Sequence, residues 1–257
     1  MTIITNYREE VKRFENLISN KPSASKVKLT ESITEKSQPP NMVNAAANSL
    51  RSPLLALKIY LDLLKNFPQE EKKTDVLNRM KLTTNEMAKK INALSTLVNV
   101  QNETNPIKEK INFSNILEDV KTELSAKFDL SDITFTTNFI EPSIQANSSE
   151  ISLLLSQILH NSITYRHNKK PLHIKLKTKK VGGYILFGIK DNGIGMVLKN
   201  DEETNKLFRP FYRLNNSSEG IGIGLSIVRS IVDKYHGEVK VRSRINEGSM
   251  FNIYLKE

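Results

Sequence analysis

The segment ILFGIKDNGIGM, residues 185–196, decides the fold of the C-terminal part of the chain. Its apolar run from Ile185 to Ile189 has the length and composition of a buried strand, and it delivers Asp191 to the strand's end. Gly193 and Gly195 come directly after it, where backbone without a Cβ can turn sharply and approach a ligand. Downstream, EGIGIGLS at residues 219–226 places Gly220, Gly222 and Gly224 ahead of a helical pattern carried by Leu225, Ile227, Val228, Ile231 and Val232. A helix that opens on glycines presents bare N–H groups, which bind phosphate well. Neither box names a ligand by itself.

A third piece lies upstream, in ISLLLSQILHNSITYR, residues 151–166. Ile151, Leu154, Leu155, Ile158 and Leu159 recur with helical spacing and mark one buried face. At roughly 100° per residue, Gln157, Asn161 and Thr164 fall in a narrow polar stripe along the edge of that face. Carboxamide and hydroxyl oxygens suit a hard cation such as Mg²⁺, which keeps several waters and uses few protein ligands beside phosphate oxygens. A merely solvated helix face is the alternative for the stripe taken alone.

In this order and spacing the asparagine helix, DNGIGM, FRPFYR (residues 208–213) and GIGIGLSIV resemble the ATP-binding domain of sensor histidine kinases, the Bergerat-type fold. The resemblance covers about residues 108–257. It implies that Asn161 ligates Mg²⁺, that Asp191 accepts a hydrogen bond from the adenine amino group, and that Gly193 and Gly195 shape the adenine loop. Gly220, Gly222 and Gly224 are then expected to face the phosphates, and Phe208 and Phe211 to anchor a mobile lid spanning roughly residues 197–219. Two positions depart from the family pattern. Gln157 stands where a second asparagine is common and Thr164 where a lysine often reaches the phosphates, so weakened nucleotide affinity or turnover is expected.

The 257 residues suffice for one large or two modest domains, and 38 % hydrophobic with 26 % charged residues describes a soluble globular chain. With no cysteine, disulfides and thiolate chemistry are excluded. No run approaches the about 18 apolar residues of a membrane span, and the start lacks a signal-peptide core, so a cytoplasmic location is expected. The net charge of +10 raises a nucleic-acid reading. Much of the excess lies in KKPLHIKLKTKK, residues 169–180, where His173, Lys175, Lys177 and Lys179 alternate with Leu172, Ile174, Leu176 and Thr178. No aromatic residue interleaves to stack a base, so a strand with one wet face is the reading, and no nucleic-acid partner is expected. Attraction to an acidic protein stays open.

Residues 5–20 show a short helical pattern, and residues 21–41 read as a polar linker, so residues 1–41 are set apart from the rest of the chain. In residues 42–102, Val43, Ala47, Leu50, Leu54, Leu57, Leu61 and Leu64 form a heptad seam. After a break at residues 66–74, a second helix carries Val76, Met80, Thr83 and Met87, then Ile91, Leu94 and Val98 with a turn inserted like a stutter. One such hairpin cannot bury its seam alone. Pairing two copies into a homodimeric four-helix bundle is the expected solution, and packing against its own chain is the alternative.

The first helix contains ANSLRSPLLAL, residues 47–57, which resembles the phosphoacceptor box of the same family. Aligned on Leu50, Arg51, Ser52, Pro53 and Leu54, the acceptor histidine falls on Asn48 and its orienting neighbour on Ser49. An amide nitrogen has its lone pair delocalised into the carbonyl and is no nucleophile, so histidine autophosphorylation at the usual site is not expected. All four histidines (His160, His167, His173 and His236) lie in the nucleotide-binding half, and His160 and His236 read as structural. The resemblance implies a response-regulator receiver domain as partner, with Ser52 at the place where relatives hold a residue that positions water for dephosphorylating it. A kinase that uses Ser49, Ser52 or a partner's serine as acceptor is the alternative, as is an inactivated variant of an ordinary histidine kinase.

Pro53 supplies no N–H, so the Ser49 carbonyl one turn back lacks its helical partner and a bend is expected there. Residues 102–110 read as a hinge, with a Ser114-capped helix, two strands, the asparagine helix, a hairpin turning at residues 180–183, the glycine-rich helix closed by Gly237, and two last strands behind it. The whole is a helical hairpin followed by an α+β sandwich.

Overall fold

A computed structural model describes residues 42–66, 70–103, 107–214 and 220–256, all of which belong to one compact unit. The expected helix at residues 5–20 and the linker at 21–41 lie outside the described residues. Helix α1 (Met42–Asn66) runs through Pro53 and packs against α2 (Glu70–Asn102) as a hairpin. Past it come β1 (Glu109–Asn112), α3 (Phe113–Ser125), β2 (Ile133–Phe139), β3 (Ser143–Ala146) and α4 (Ser148–Thr164). The chain continues through β4 (Leu172–Val181), β5 (Tyr184–Asp191), α5 (Asp201–Lys206), α6 (Gly224–Lys234), β6 (Glu238–Arg244) and β7 (Gly248–Lys256).

Five strands form a mixed sheet in the order β2-β4-β5-β7-β6, with only β2 and β4 parallel. The SIQA strand leaves this sheet and pairs antiparallel with β1, a short strand that its composition does not announce. Alternation along β4 buries Leu172, Ile174, Leu176 and Thr178 and exposes the histidine and lysines between them, so the basic stretch is a wet sheet face. The inward residues of β4, β5 and β7 meet the apolar stripes of α3, α4 and α6 in one core, where Phe113 and Phe187 pack with ring centroids 5.0 Å apart.

Two helix ends differ from expectation. The cap of α3 is Asn112, whose Oδ1 accepts the Ser114 N–H at 2.8 Å; an extended asparagine one residue ahead of the helix presents its carbonyl in the place assigned to the Ser114 hydroxyl. At the end of α6 the left-handed residue is His236 (φ 48°), not Gly237. The His236 N–H donates to the Asp233 carbonyl and the Gly237 N–H to the Val232 carbonyl, a Schellman pair. Gly237 is required for closeness instead, since a Cβ there would stand 2.0 Å from the Tyr254 carbonyl oxygen.

The stutter in α2 is absent from the face that packs on α1. Ile91 is 50 % exposed, while the inward rhythm passes from Met87 through Lys90 and Leu94 to the fully buried Leu97. Lys90 holds an inward position because its aliphatic stem lies in the seam while its ammonium finds a polar partner. That partner is the Ser49 carbonyl, 3.2 Å from Nζ, the oxygen that Pro53 leaves without a helical donor. On α1 the half-buried positions include Pro53, Leu57, Tyr60 and Leu64, whereas Leu54 and Leu61 point to solvent in the single chain.

Candidate functional site

Strand β5 ends in Asp191, which is buried with 6 % of its surface exposed. Oδ1 accepts the backbone N–H of Gly193 at 2.8 Å and of Ser249 at 3.1 Å, and Oδ2 accepts the hydroxyl of Ser162 at 3.3 Å. Burial pushes the carboxyl above its ordinary range, and these three donors pull it back toward ionisation. No sequence pattern marks Ser249. The readable signal for Ser162, also missed, is a small hydroxyl residue among the buried positions Ile158, Leu159 and Ile163 of α4.

The loop after Asp191 is held at both ends. The Ile194 N–H donates to the Tyr165 carbonyl just past α4, and the Asn246 N–H donates to the Ile194 carbonyl. Gly195 has φ 65°, and a Cβ there would lie 1.9 Å from the Arg244 carbonyl oxygen, so the β6–β7 turn closes against bare backbone. The residue after Asp191, Asn192, is structural: its side chain accepts from the His173 N–H and donates to the Pro171 carbonyl, fixing the start of β4.

Gln157, Asn161 and Thr164 are all half-buried along one edge of α4, as the stripe predicts. Gln157 reaches the opening of α6, its Oε1 only 2.8 Å from where a Gly224 Cβ would be. Thr164 Oγ1 lies 3.4 Å from His160 Nδ1. His160 packs edge-on against Phe128, and burial followed by the nearby Lys127 holds its pKa down, as befits a neutral structural ring. Phe208 is buried in the core, and Phe211, at φ 64°, donates its N–H to the Gly222 carbonyl at 2.8 Å. The FRPFYR segment is thereby tied to the glycine-rich loop, with Gly220 and Gly222 in left-handed backbone and Gly224 starting α6. The tip of the expected lid, residues 215–219, lies outside the described residues.

These elements adjoin one another along α4: the buried carboxylate at the end of β5 meets Ser162, and Gln157 on the polar edge reaches the glycine-rich loop leading into α6. Among the described residues no three His, Cys, Asp or Glu side chains gather as a metal site. A divalent ion at Asn161 would take its remaining ligands from water and phosphate oxygens.

Residues 146–257 match the family described as histidine kinase-, DNA gyrase B-, and HSP90-like ATPase. Over 226 residues the chain is 29 % identical to the sensor histidine kinase YvrG of Bacillus subtilis, covering 82 % of this chain and 37 % of that protein. Residues 146–257 thus form a domain of that ATPase family, within a chain similar to sensor histidine kinases over most of its length. The chain is 26 % identical over 220 residues to the sensor protein kinase WalK of Staphylococcus aureus, covering 81 % of this chain and 51 % of that one. It therefore spans between about a third and a half of the length of these relatives. The fold also matches the histidine kinase ThkA, solved in complex with the response regulator protein TrrA, with TM-score 0.61, 19 % identity, and coverage of 97 % of this chain and 65 % of ThkA. The candidate site is thus part of an ATPase domain of this family, and a helical hairpin precedes it. No helix among the described residues is long and apolar enough to cross a membrane.

Proposed function

We propose that the chain binds Mg²⁺-ATP in the cleft of its ATPase domain and uses nucleotide occupancy to control a response-regulator receiver domain, without phosphorylating itself on the first hairpin helix. The observation that carries this reading is the position of Asn48. It lines a cavity of about 420 Å³ together with Gly220 and Ile221 of the glycine-rich loop, which supports reading it as the acceptor position beside the phosphates, and an asparagine there is no nucleophile. The fit to nucleotide rests on the cleft itself. Asp191 offers a desolvated acceptor for an adenine amino group, Gly193 and Gly195 keep the adenine loop bare, and Asn161 offers a hard oxygen for Mg²⁺. When bound, the ion would neutralise charge on the phosphates.

The hairpin of residues 42–102 would serve as the dimerisation element. Leu54 at 61 % exposure and Leu61 at 49 %, one heptad apart on α1, form an apolar line that a second copy would cover. A ligand shifts the balance between arrangements of hairpin and ATPase domain only through its differential affinity for them.

The test is incubation of the purified chain with Mg²⁺ and γ-labelled ATP, with calorimetry in parallel. Nucleotide binding without covalent label is expected. Acid-stable label would place the acceptor on a serine or threonine, acid-labile label on one of the four histidines, and either outcome would overturn the regulatory reading.

A further inference from the structure

The cavity at the acceptor position is lined by two cations, Lys90 of α2 and Arg213 of the FRPFYR segment, and by the polar side chains of Asn48, Ser49 and Ser52. Among the described residues no carboxylate lines it. Such a lining selects an anion rich in acceptor oxygens. Ala45, Pro210, Phe211, Gly220 and Ile221 complete its lining, the last two at the mouth of the glycine-rich loop, so an anion held by that loop is the one that reaches it. The ammonium of Lys90 is hydrogen-bonded to Ser49, another lining residue. It spends one donor on the Ser49 carbonyl at 3.2 Å, and an ammonium carries three.

We infer that Lys90 is a sensor of the nucleotide's terminal phosphate carried by the hairpin, binding it electrostatically in the cavity where transfer to a histidine would otherwise take place. This rests on the nucleotide reading above. It replaces a covalent readout with a contact that exists for a triphosphate and is lost with a diphosphate. The same ammonium that supports the helix turn opened by Pro53 would bridge the hairpin to the nucleotide, so terminal-phosphate occupancy changes the hold between α2 and the ATPase domain. Differential affinity of this kind is what an equilibrium between arrangements requires.

The experiment is calorimetry on the full chain with Mg²⁺, comparing ADP with a non-hydrolysable ATP analogue in the wild type, Lys90→Gln and Lys90→Arg. Glutamine keeps an amide donor for the Ser49 carbonyl and most of the stem, so it removes the charge without emptying the seam. Loss of one charge-assisted contact is expected to weaken the analogue about tenfold in Lys90→Gln. ADP affinity should stay unchanged, and Lys90→Arg should keep most of the preference for the triphosphate. Equal weakening of both nucleotides, or no change in either, would overturn the sensor role while leaving nucleotide binding in place. Failure of the wild type to bind ADP or the analogue would remove the nucleotide reading and this inference with it.

Discussion

Asp191→Asn is expected to abolish useful ATP binding while leaving the fold intact. The asparagine Oδ1 can accept the Gly193 and Ser249 N–H groups as the carboxylate does, and its amino group can donate to the Ser162 hydroxyl oxygen. The architecture around β5 and β7 therefore keeps its donors satisfied. In the proposed binding mode the variant loses the acceptor for adenine: an amide NH₂ would oppose the adenine NH₂, two donors in a desolvated site. The penalty for such a mismatch is about 3 kcal/mol, roughly a hundredfold in Kd. Calorimetry with ATP and thermal melting of the same preparation check both halves, and a variant that binds ATP like the wild type would remove Asp191 from the site.

The raised pKa sets the sign of the pH effect. The folded chain holds the Asp191 proton more tightly than the unfolded chain, because burial disfavours the charge. Stability therefore falls as pH rises from the ordinary carboxylate value through the raised one, and the asparagine variant lacks this contribution. Nucleotide binding runs the other way. If Asp191 accepts the adenine amino group as proposed, binding favours the ionised carboxylate, so affinity should fall on acidification at a higher pH than for an exposed aspartate.

Much of the ATPase domain was legible because its signals are local. The alternation Leu172 to Thr178, the apolar stripe of α4 and the glycines around Asp191 each state a period or a backbone need within one segment. What escaped depends on distant partners. Ser249 reaches Asp191 across 58 positions, and Lys90 meets Ser49 across 41, so no window of sequence contains either pair. Lys90 also misled the heptad reading, which treats an inward lysine as a break, whereas the stem can pack and the ammonium can answer the carbonyl freed by Pro53. The end of α6 escaped for a related reason. Glycine is the usual left-handed cap, yet the Tyr254 carbonyl demands a residue without a side chain at Gly237 itself, which moves the left-handed turn to His236.

Lys234→Met should cost more stability than Asp191→Asn or Lys90→Gln. Lys234, the last residue of α6, donates to the Glu150 carboxylate, lies 3.6 Å from Glu103, and reaches the Val100 carbonyl at 3.5 Å. Tyr235 donates its hydroxyl to the other Glu150 oxygen at 2.7 Å and accepts the Asn147 N–H at 2.8 Å. Burial, together with the Glu150 contacts, holds the Tyr235 phenol well above its ordinary pKa, which keeps it a donor. With a side chain only 4 % exposed, Glu150 depends on this cation. Removing one partner of a buried pair strands the other charge, at a cost of about 3–5 kcal/mol. The double variant Lys234→Met with Glu150→Gln should recover most of that loss, because the glutamine carbonyl can still accept from Tyr235 and no charge is left behind. Chemical denaturation of the two single variants and the double variant measures the coupling; additive losses would mean that the pair does not act as a unit. The same residues join the last turn of α2 to the ATPase domain, through Val100, Glu103 and the Gln101 to Ser230 hydrogen bond. Amide exchange in residues 97–102 should therefore accelerate in Lys234→Met before the β-sheet core is affected, since these contacts tie the last turn of α2 to α6.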